Sequence, residues 1–539
     1  MLPKQSRGKA VIWALSLVAI GPYVANTLDI SAARASALHT LEHPVETLVR
    51  NAVADFDRLL KRQSKTYAAA VEEYQRRYGA EPPPGFEAWY NFAVANQSPL
   101  VDEFDTIYHS VSPFWKLSGK EVVQIMNEAY KTSDIDLWLC SFTGATAETQ
   151  CRHPVRSSDR HTADMFNKLL GDMPGILPNI SFLVNHLDEP RVLSPPQSAS
   201  APNKTQITLT NLSERPTWNA VTQFCPPSPN PSTESPLLSL PLVTNLTTAR
   251  SLCANPAYAH SHGLFQAPAS FSLITGPVPV LTSGSPSTMS DILFPSPAYL
   301  IEPEFRYNPD HDPPWHLKSP HLYWAGSTTG AVASTKTDWQ SFHRQRFLTL
   351  AQNLQTTPHL YLTESPTIPS NNPTIAPSRF LNARHYAVHP TRIFQCPRPA
   401  ACRAQRFHFR LKRWQPRDAA LQSKLVFDLD GNGISGRFYK LLASRSAVLK
   451  MTVLREWHDD RLVPWVHYVP VGVGMGEVAE VVRWFLETAR GEEVARGVGE
   501  RGAEWVGQAV REVDVKVYLW RLVLELARVG DPGRGVLGG

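Results

Sequence analysis

No serine elbow of the GxSxG type, no HExxH helix and no GxxxxGKS or GxxxxGKT loop occurs in this sequence. Serine-hydrolase, zinc-protease and P-loop readings therefore lose their main support. Cysteine is scarce, six residues in 539, and no CxxC pair exists, which removes the usual basis of a structural zinc site. Charge of one sign is also scarce: the net +5, read as free of any dense Lys/Arg run, argues against nucleic acid as a partner. The length calls for two domains plus appendages rather than one small core.

Long apolar runs are rare as well, and the one at the N-terminus is informative. Lys4, Arg7 and Lys9 precede an uncharged stretch from Ala10 to Leu28. As a helix it would be about 28 Å long at 1.5 Å per residue, near the thickness of a bilayer core. The basic flank places it as an uncleaved anchor with the rest of the chain in a lumen. A cleaved signal peptide is the alternative, since "SAARASA" follows Ile30. Both readings put the chain in the secretory pathway. Asn96, Asn179, Asn203, Asn211 and Asn245 each begin an N-x-Ser/Thr sequon, which agrees. The cysteines fall as near neighbours, Cys140 and Cys151, Cys225 and Cys253, Cys396 and Cys402, although six allow 15 pairings.

Apolar residues from Val45 to Leu60 recur at helical spacing, and "EPPPG" after Tyr78 ends a stem-like helical region. The aromatic stretch with Trp89, Tyr90, Phe92 and Phe104 reads as core. Leu193–Leu242 and Thr356–Arg379 are rich in Ser, Pro, Thr and Asn and read as surface insertions without regular structure. Elsewhere short apolar runs alternate with helical ones, and three helices close the chain, with Gly491 and Gly530 as expected C-caps. Interleaved strands and helices predict an α/β protein with parallel sheets.

The segment "DLDGNGISGRFYKLL", 428–442, opens like a calcium loop. Position twelve from Asp428 is Tyr439, however, and a phenol cannot replace the bidentate carboxylate required there. The alternative is a strand, a tight turn through Gly431, Gly433 and Gly436, and a helix starting near Arg437. That arrangement aims backbone N–H groups and a guanidinium at an anion such as a diphosphate. A plain strand–turn–helix with Arg437 in solvent fits this stretch equally well. Further polar clusters stand in apolar surroundings: Asp188, Glu189 and Arg191 around Pro190; Asp291; Ser327, Thr328 and Thr329; His343, Arg344 and Arg346; Lys450; Glu456.

In order, "VEEYQRRYGAEPPPGFEAWYNFA", "NHLDEPRVL", "SHGLFQAPASF", "SDILFPSPAYL", "LYWAGSTTG", "HRQRF", "DLDGNGISGRFYKLLASRSAVLK" and "EWHDDRLVPWVHYVPV" resemble fungal members of glycosyltransferase family 90, over roughly Tyr67 to Val529. The resemblance implies a GT-B architecture of two Rossmann-like domains, here 81–315 with the insertion 194–242, and 316–530. Residues 1–30 would be the tail and signal-anchor, 31–80 the stem and 531–539 a tail. It implies an inverting transferase, a UDP-sugar donor with xylose ahead of glucose, a glycan or glycoprotein acceptor, no cofactor or metal, and a single-pass Golgi or endoplasmic reticulum location. Carried over by position, Asp188 is the general base and Arg437 grips the diphosphate. Ser327, Thr328, Arg344, Arg346, Gly433, Ser444, Ser446, Lys450 and Glu456 fall on substrate-side segments, and Asp291 on a motif near the domain junction. One departure stands out. Where the family usually has Trp-Arg-Gly-Ser, this chain has Trp324-Ala325-Gly326-Ser327. Losing a charge-assisted phosphate contact costs about 1.5–3 kcal/mol, roughly ten- to a hundredfold in rate. Arg344 or Arg346 is then the expected substitute, and the alternative is a weak or inactive relative that only binds glycan or nucleotide-sugar.

Overall fold

The computed structural model describes residues 42–132, 134–195, 206–226, 240–354, 358–363, 374–378 and 383–537. The expected anchor at Ala10–Leu28 and the Asn203 sequon lie outside these. Among the described residues no helix is long and apolar enough to cross a membrane.

In chain order the strands are β1 (Leu137–Thr143), β2 (Glu148–Arg152), β3 (Ile180–Asn185), β4 (Val192–Leu193), β5 (Thr208–Asn211), β6 (Ser272–Thr275), β7 (Val280–Thr282) and β8 (Ile292–Leu293), followed by β9 (Ser319–Ser327), β10 (His359–Thr363), β11 (Thr374–Ser378), β12 (Tyr386–Arg392), β13 (Ser423–Leu429), β14 (Ala447–Met451) and β15 (Val469–Pro470). They build two five-stranded sheets, a three-stranded sheet β4-β6-β5 and the pair β10-β11. The first has the order β2-β1-β3-β7-β8, with β1 antiparallel to its neighbours and β3, β7 and β8 parallel. The second, β12-β9-β13-β14-β15, is parallel throughout. The α/β expectation with parallel sheets holds.

The second sheet shows why its strands read as continuous apolar runs. Side chains alternate between two covered faces: Trp324, Leu425, Phe427 and Leu449 on one, Tyr323, Val426 and Val448 on the other. The helices His343–Ala351 and Val478–Glu487 cover the first face, and Phe438–Ala443 with Ala489–Ala509 cover the second. A parallel sheet buried on both faces has no polar side to expose. Truncating a ring such as Phe427, 1 % exposed, would cost about 3–5 kcal/mol.

Several expectations change. The stem is two helices, Pro44–Arg62 and Tyr67–Tyr78. The break occurs because the Gln63 side-chain oxygen accepts from the Val101 and Asp102 backbone, while Thr66 caps the second helix at Ala69. The first helix lies on the body: Val45 is buried, His43 stacks on Trp484 at 4.1 Å, and Phe56 meets Trp505 edge-on. The two insertions are not structureless where described, since β5 pairs antiparallel with β6, and β10 with β11. Backbone pairing at an exposed edge needs no apolar alternation, so β5, "TLTN", gave no periodic signal. Gly491 is not a C-cap; it lies in the first turn of Ala489–Ala509, where its N–H bonds the Thr488 cap and an added Cβ would meet Trp484 O at 2.0 Å. The last helix, Glu512–Gly530, returns to the first sheet's layer. There Trp89 Nε1 donates to Val517 O, and Tyr518 donates to Leu293 O. The three near-neighbour cysteine pairs are disulfides, which agrees with an oxidising compartment.

Candidate active site

In the second sheet the chain runs from β9 outward to β12, then recrosses to β13 and continues to β14 and β15. The strand order therefore reverses between the C-terminal ends of β9 and β13. Ligands of open parallel sheets bind outside the carboxyl ends at such a switch point. A cavity of about 240 Å³ lies there, with Ala325 and Gly326 of β9, Arg437 and Lys440 beyond β13, and Trp414 and Arg417 from the loop after Pro399–His408. The Arg437 guanidinium donates to Ala325 O at 2.6 Å, so this cation sits over the strand end where the family arginine is missing.

Asp188 approaches from the first sheet. It leaves the C-terminal end of β3, and Asn185 Nδ2 stitches that turn to Leu187 O, Glu189 O and Thr282 Oγ1. Two neighbours anchor the loop. The buried Glu189 carboxylate accepts from Ser270 N and Oγ, and burial pushes it up to about 7 against the pull of those bonds. The Arg191 guanidinium, 0 % exposed, reaches Ser272 O, Asp136 O, Asn185 Oδ1 and Ile135 O, and burial lowers it to about 10. With both flanks fixed, the Asp188 carboxylate is left half-exposed and pairs with Arg160 Nη1 at 2.5 Å. Arg160 lay beyond sequence reasoning because 28 residues separate it from Asp188.

The glycine turn joins the two halves. Gly433 has no unusual φ; an added Cβ would sit 2.1 Å from Asp188 O, so glycine is required for close approach of the base loop. Gly433 O also closes the turn by accepting from Gly431 N. Gly433→Val is expected to separate the loops and cost about 1–3 kcal/mol by overpacking; thermal unfolding would register it as a lowered midpoint.

Other candidates are placed away from the cavity. Thr328 is fully buried and ties β9 to the end of β12 through Phe394 N, so it has no free face. The Ser327 hydroxyl bonds Thr329, and its carbonyl accepts from Arg344. Arg344 also bonds Asp430 O and Thr329 Oγ1. Burial, then the charge of Arg437, lowers it to about 9. Arg346 is anchored on the Ser261, Val473 and Gly474 carbonyls and cannot substitute for the missing arginine. Ser444 and Ser446 are corrected outright. They precede β14, hence lie at the opposite end of the sheet from the switch point, buried in bonds to Leu441 O and Ser423 O. Asp291 is structural, accepting from Arg191 N and Val192 N.

Lys450 and Glu456 form a buried tie behind the turn. Lys450 Nζ is 3.0 Å from Asp428, and Glu456 accepts from Tyr299, which also donates to Ser435 O. Asp428 further accepts from Ser435, and Asp430 from Val453 N, so both carboxylates of the calcium-like "DLD" are engaged in holding the turn. Burial alone would lower Lys450, but Asp428 and Glu456 hold it above its ordinary value. Burial pushes Glu456 from 4.5 to about 7, with Lys450 pulling it back. A carboxyl raised in this way binds its proton more tightly in the folded chain. Its contribution to stability is full below about pH 4.5 and is lost as pH rises through about 7. The thermal midpoint is therefore expected to fall between about pH 5 and pH 8. Glu456→Gln should flatten part of that fall; Glu189, Asp460 and Glu477, also raised to about 7 by burial, keep the remainder.

The reading that no dense Lys/Arg run exists also fails. Residues 398–417, "RPAACRAQRFHFRLKRWQPR", hold no carboxylate, and this run was hidden by the modest net charge of the whole chain.

A family model described as Glycosyl transferase family 90 matches residues 392–530, the stretch with Arg437, Lys450 and Glu456. Over that stretch the chain is similar to glycosyltransferase family 90. The chain is 39% identical over 108 residues to a protein named O-glucosyltransferase rumi homolog from Aedes aegypti, covering 19% of the chain and 25% of that protein. It is 32% identical over 107 residues to O-glucosyltransferase rumi of Drosophila pseudoobscura pseudoobscura, covering 19% and 25%. With Protein O-glucosyltransferase 1 of Homo sapiens it shares 29% over 108 residues, covering 20% and 26%. The chain thus spans about a quarter of the length of the curated relatives it matches.

Proposed function

We propose that the protein transfers a sugar from a UDP-sugar to a hydroxyl of a glycan or glycoprotein in the secretory pathway, with inversion at the anomeric carbon. The observation that carries this reading is the meeting of two strand-end systems. Asp188 from the first sheet is seated on the glycine turn that leads to Arg437 and the cavity of the second. In the reaction Asp188 takes the proton of the acceptor hydroxyl as that oxygen bonds the anomeric carbon. The bond from that carbon to the diphosphate oxygen breaks, and UDP departs with the new charge facing Arg437. Glu189 and Arg191 position the base without touching substrate. The two-domain GT-B arrangement belongs to this proposal, as does the N-terminal anchor, which the disulfides and the exposed Asn179, Asn211 and Asn245 sequons support only in placing the chain in a lumen.

The resemblance put xylose first as donor, whereas the matched proteins are named for glucose, so both donors belong in the test. Ala325 favours a second reading, a weak or inactive relative that binds donor without turnover. UDP release by the purified chain from UDP-xylose and UDP-glucose separates the two. Release by wild type supports the transferase. A silent wild type that gains about ten- to a hundredfold in Ala325→Arg is a lapsed enzyme, and no release or UDP binding in any variant ends the sugar-nucleotide reading.

A further inference from the structure

We propose that the basic, aromatic face formed by residues 398–417 is a docking lane for an acidic glycan, a polymer carrying uronate carboxylates, that leads into the cavity at Ala325. The inference rests on the transferase reading only for what happens at the end of the lane. The helix Pro399–His408 buries Ala401 and Gln405 and turns its other face outward. Arg403 and Phe407 are four residues apart on that face, with Arg406 beside them, and Arg410 follows two residues past the helix end. All are exposed, Phe407 at 90 %. The chain then continues through Lys412 and Arg413 to Trp414, which is 80 % exposed, and Arg417; these last two wall the cavity itself.

The run 398–417 itself holds no carboxylate. Asp418, the first acid after it, is engaged by Lys440 and His311, and among the described residues none of these cations forms an ion pair. Among the residues lining the cavity Glu304 carries a carboxylate, and its backbone carbonyl accepts from Lys440. Single exposed rings flanked by guanidinium groups match a pyranose face with a carboxylate at its edge. The ring stacks on the aromatic side chain and the carboxylate takes a bidentate arginine. Continuity into the cavity favours a chain threaded toward a reacting end over a bilayer, which would need its apolar side chains on one level. The disulfide-bonded, sequon-bearing chain favours a lumenal ligand over a nucleic acid.

The test is calorimetric titration of the full chain with oligogalacturonate and with a neutral dextran oligomer of equal length. The variants are Arg403→Glu/Arg406→Glu/Arg410→Glu and, separately, Phe407→Ser. Wild type is expected to bind the uronate and not the dextran. Each variant should weaken binding about tenfold or more, while UDP release without acceptor stays unchanged in the triple variant. Three results would overturn the proposal: no uronate binding, binding unmoved by both variants, or equally tight binding of an oligonucleotide or of phosphatidylserine vesicles. UDP release, read on the same samples, reports separately on the transferase reading.

Discussion

Asp188→Asn is expected to lower sugar transfer by about 10²- to 10⁴-fold, the usual contribution of a positioned general base. UDP binding and the thermal midpoint should stay near wild type. The separation follows from the loop's construction. The carboxylate proposed as base is half-exposed and, among the described residues, its ion pair is with Arg160, whereas the buried groups that hold the loop are Glu189 and Arg191. An amide of the same shape keeps the loop and removes the proton acceptor. Initial rates of acceptor-dependent UDP release, with a parallel UDP titration, check this. A variant that kept wild-type rates would remove Asp188 from the mechanism.

Arg437→Ala is expected to reduce turnover by about 10²- to 10³-fold, as for loss of a preorganised donor facing developing charge. It should also weaken UDP binding, which distinguishes it from Asp188→Asn. Arg344 cannot restore the loss from where it stands, because its Nε and Nη1 are spent on Asp430 O, Ser327 O and Thr329 Oγ1. Arg437→Lys should recover part of the binding but little of the rate, since an ammonium cannot present the planar fork. A single-turnover measurement with saturating donor separates the two effects.

Much of this site is legible in the sequence, for reasons that are local. The strand, glycine turn and helix around Arg437 follow from an apolar run, three glycines and a short amphipathic segment, all within about twenty residues. Asp188 stands in a polar cluster around Pro190, and the family resemblance picks it out as the base. What escapes is whatever depends on the direction of strands or on distant contacts. Ser444 and Ser446 are near Arg437 in sequence, yet the helix Phe438–Ala443 carries the chain from one end of the sheet to the other before β14 begins. Gly433 looks like a phosphate-turn glycine, but its need for a missing Cβ comes from Asp188, 245 residues away by subtraction of 188 from 433. Lys450 and Glu456 read as ligands because charged residues in apolar surroundings often are. They prove to be each other's partners, with Asp428 and Tyr299 completing the tie. Periodicity marked the stem as helical without saying what its apolar face covers.

The most direct test of the central claim, that the switch point between β9 and β13 holds a UDP-sugar, is calorimetric titration of UDP into wild type, Arg437→Ala and Asp188→Asn. Saturable one-site binding that is lost in Arg437→Ala and kept in Asp188→Asn is the predicted result. Absence of UDP binding in wild type, or binding that Arg437→Ala leaves unchanged, would contradict it.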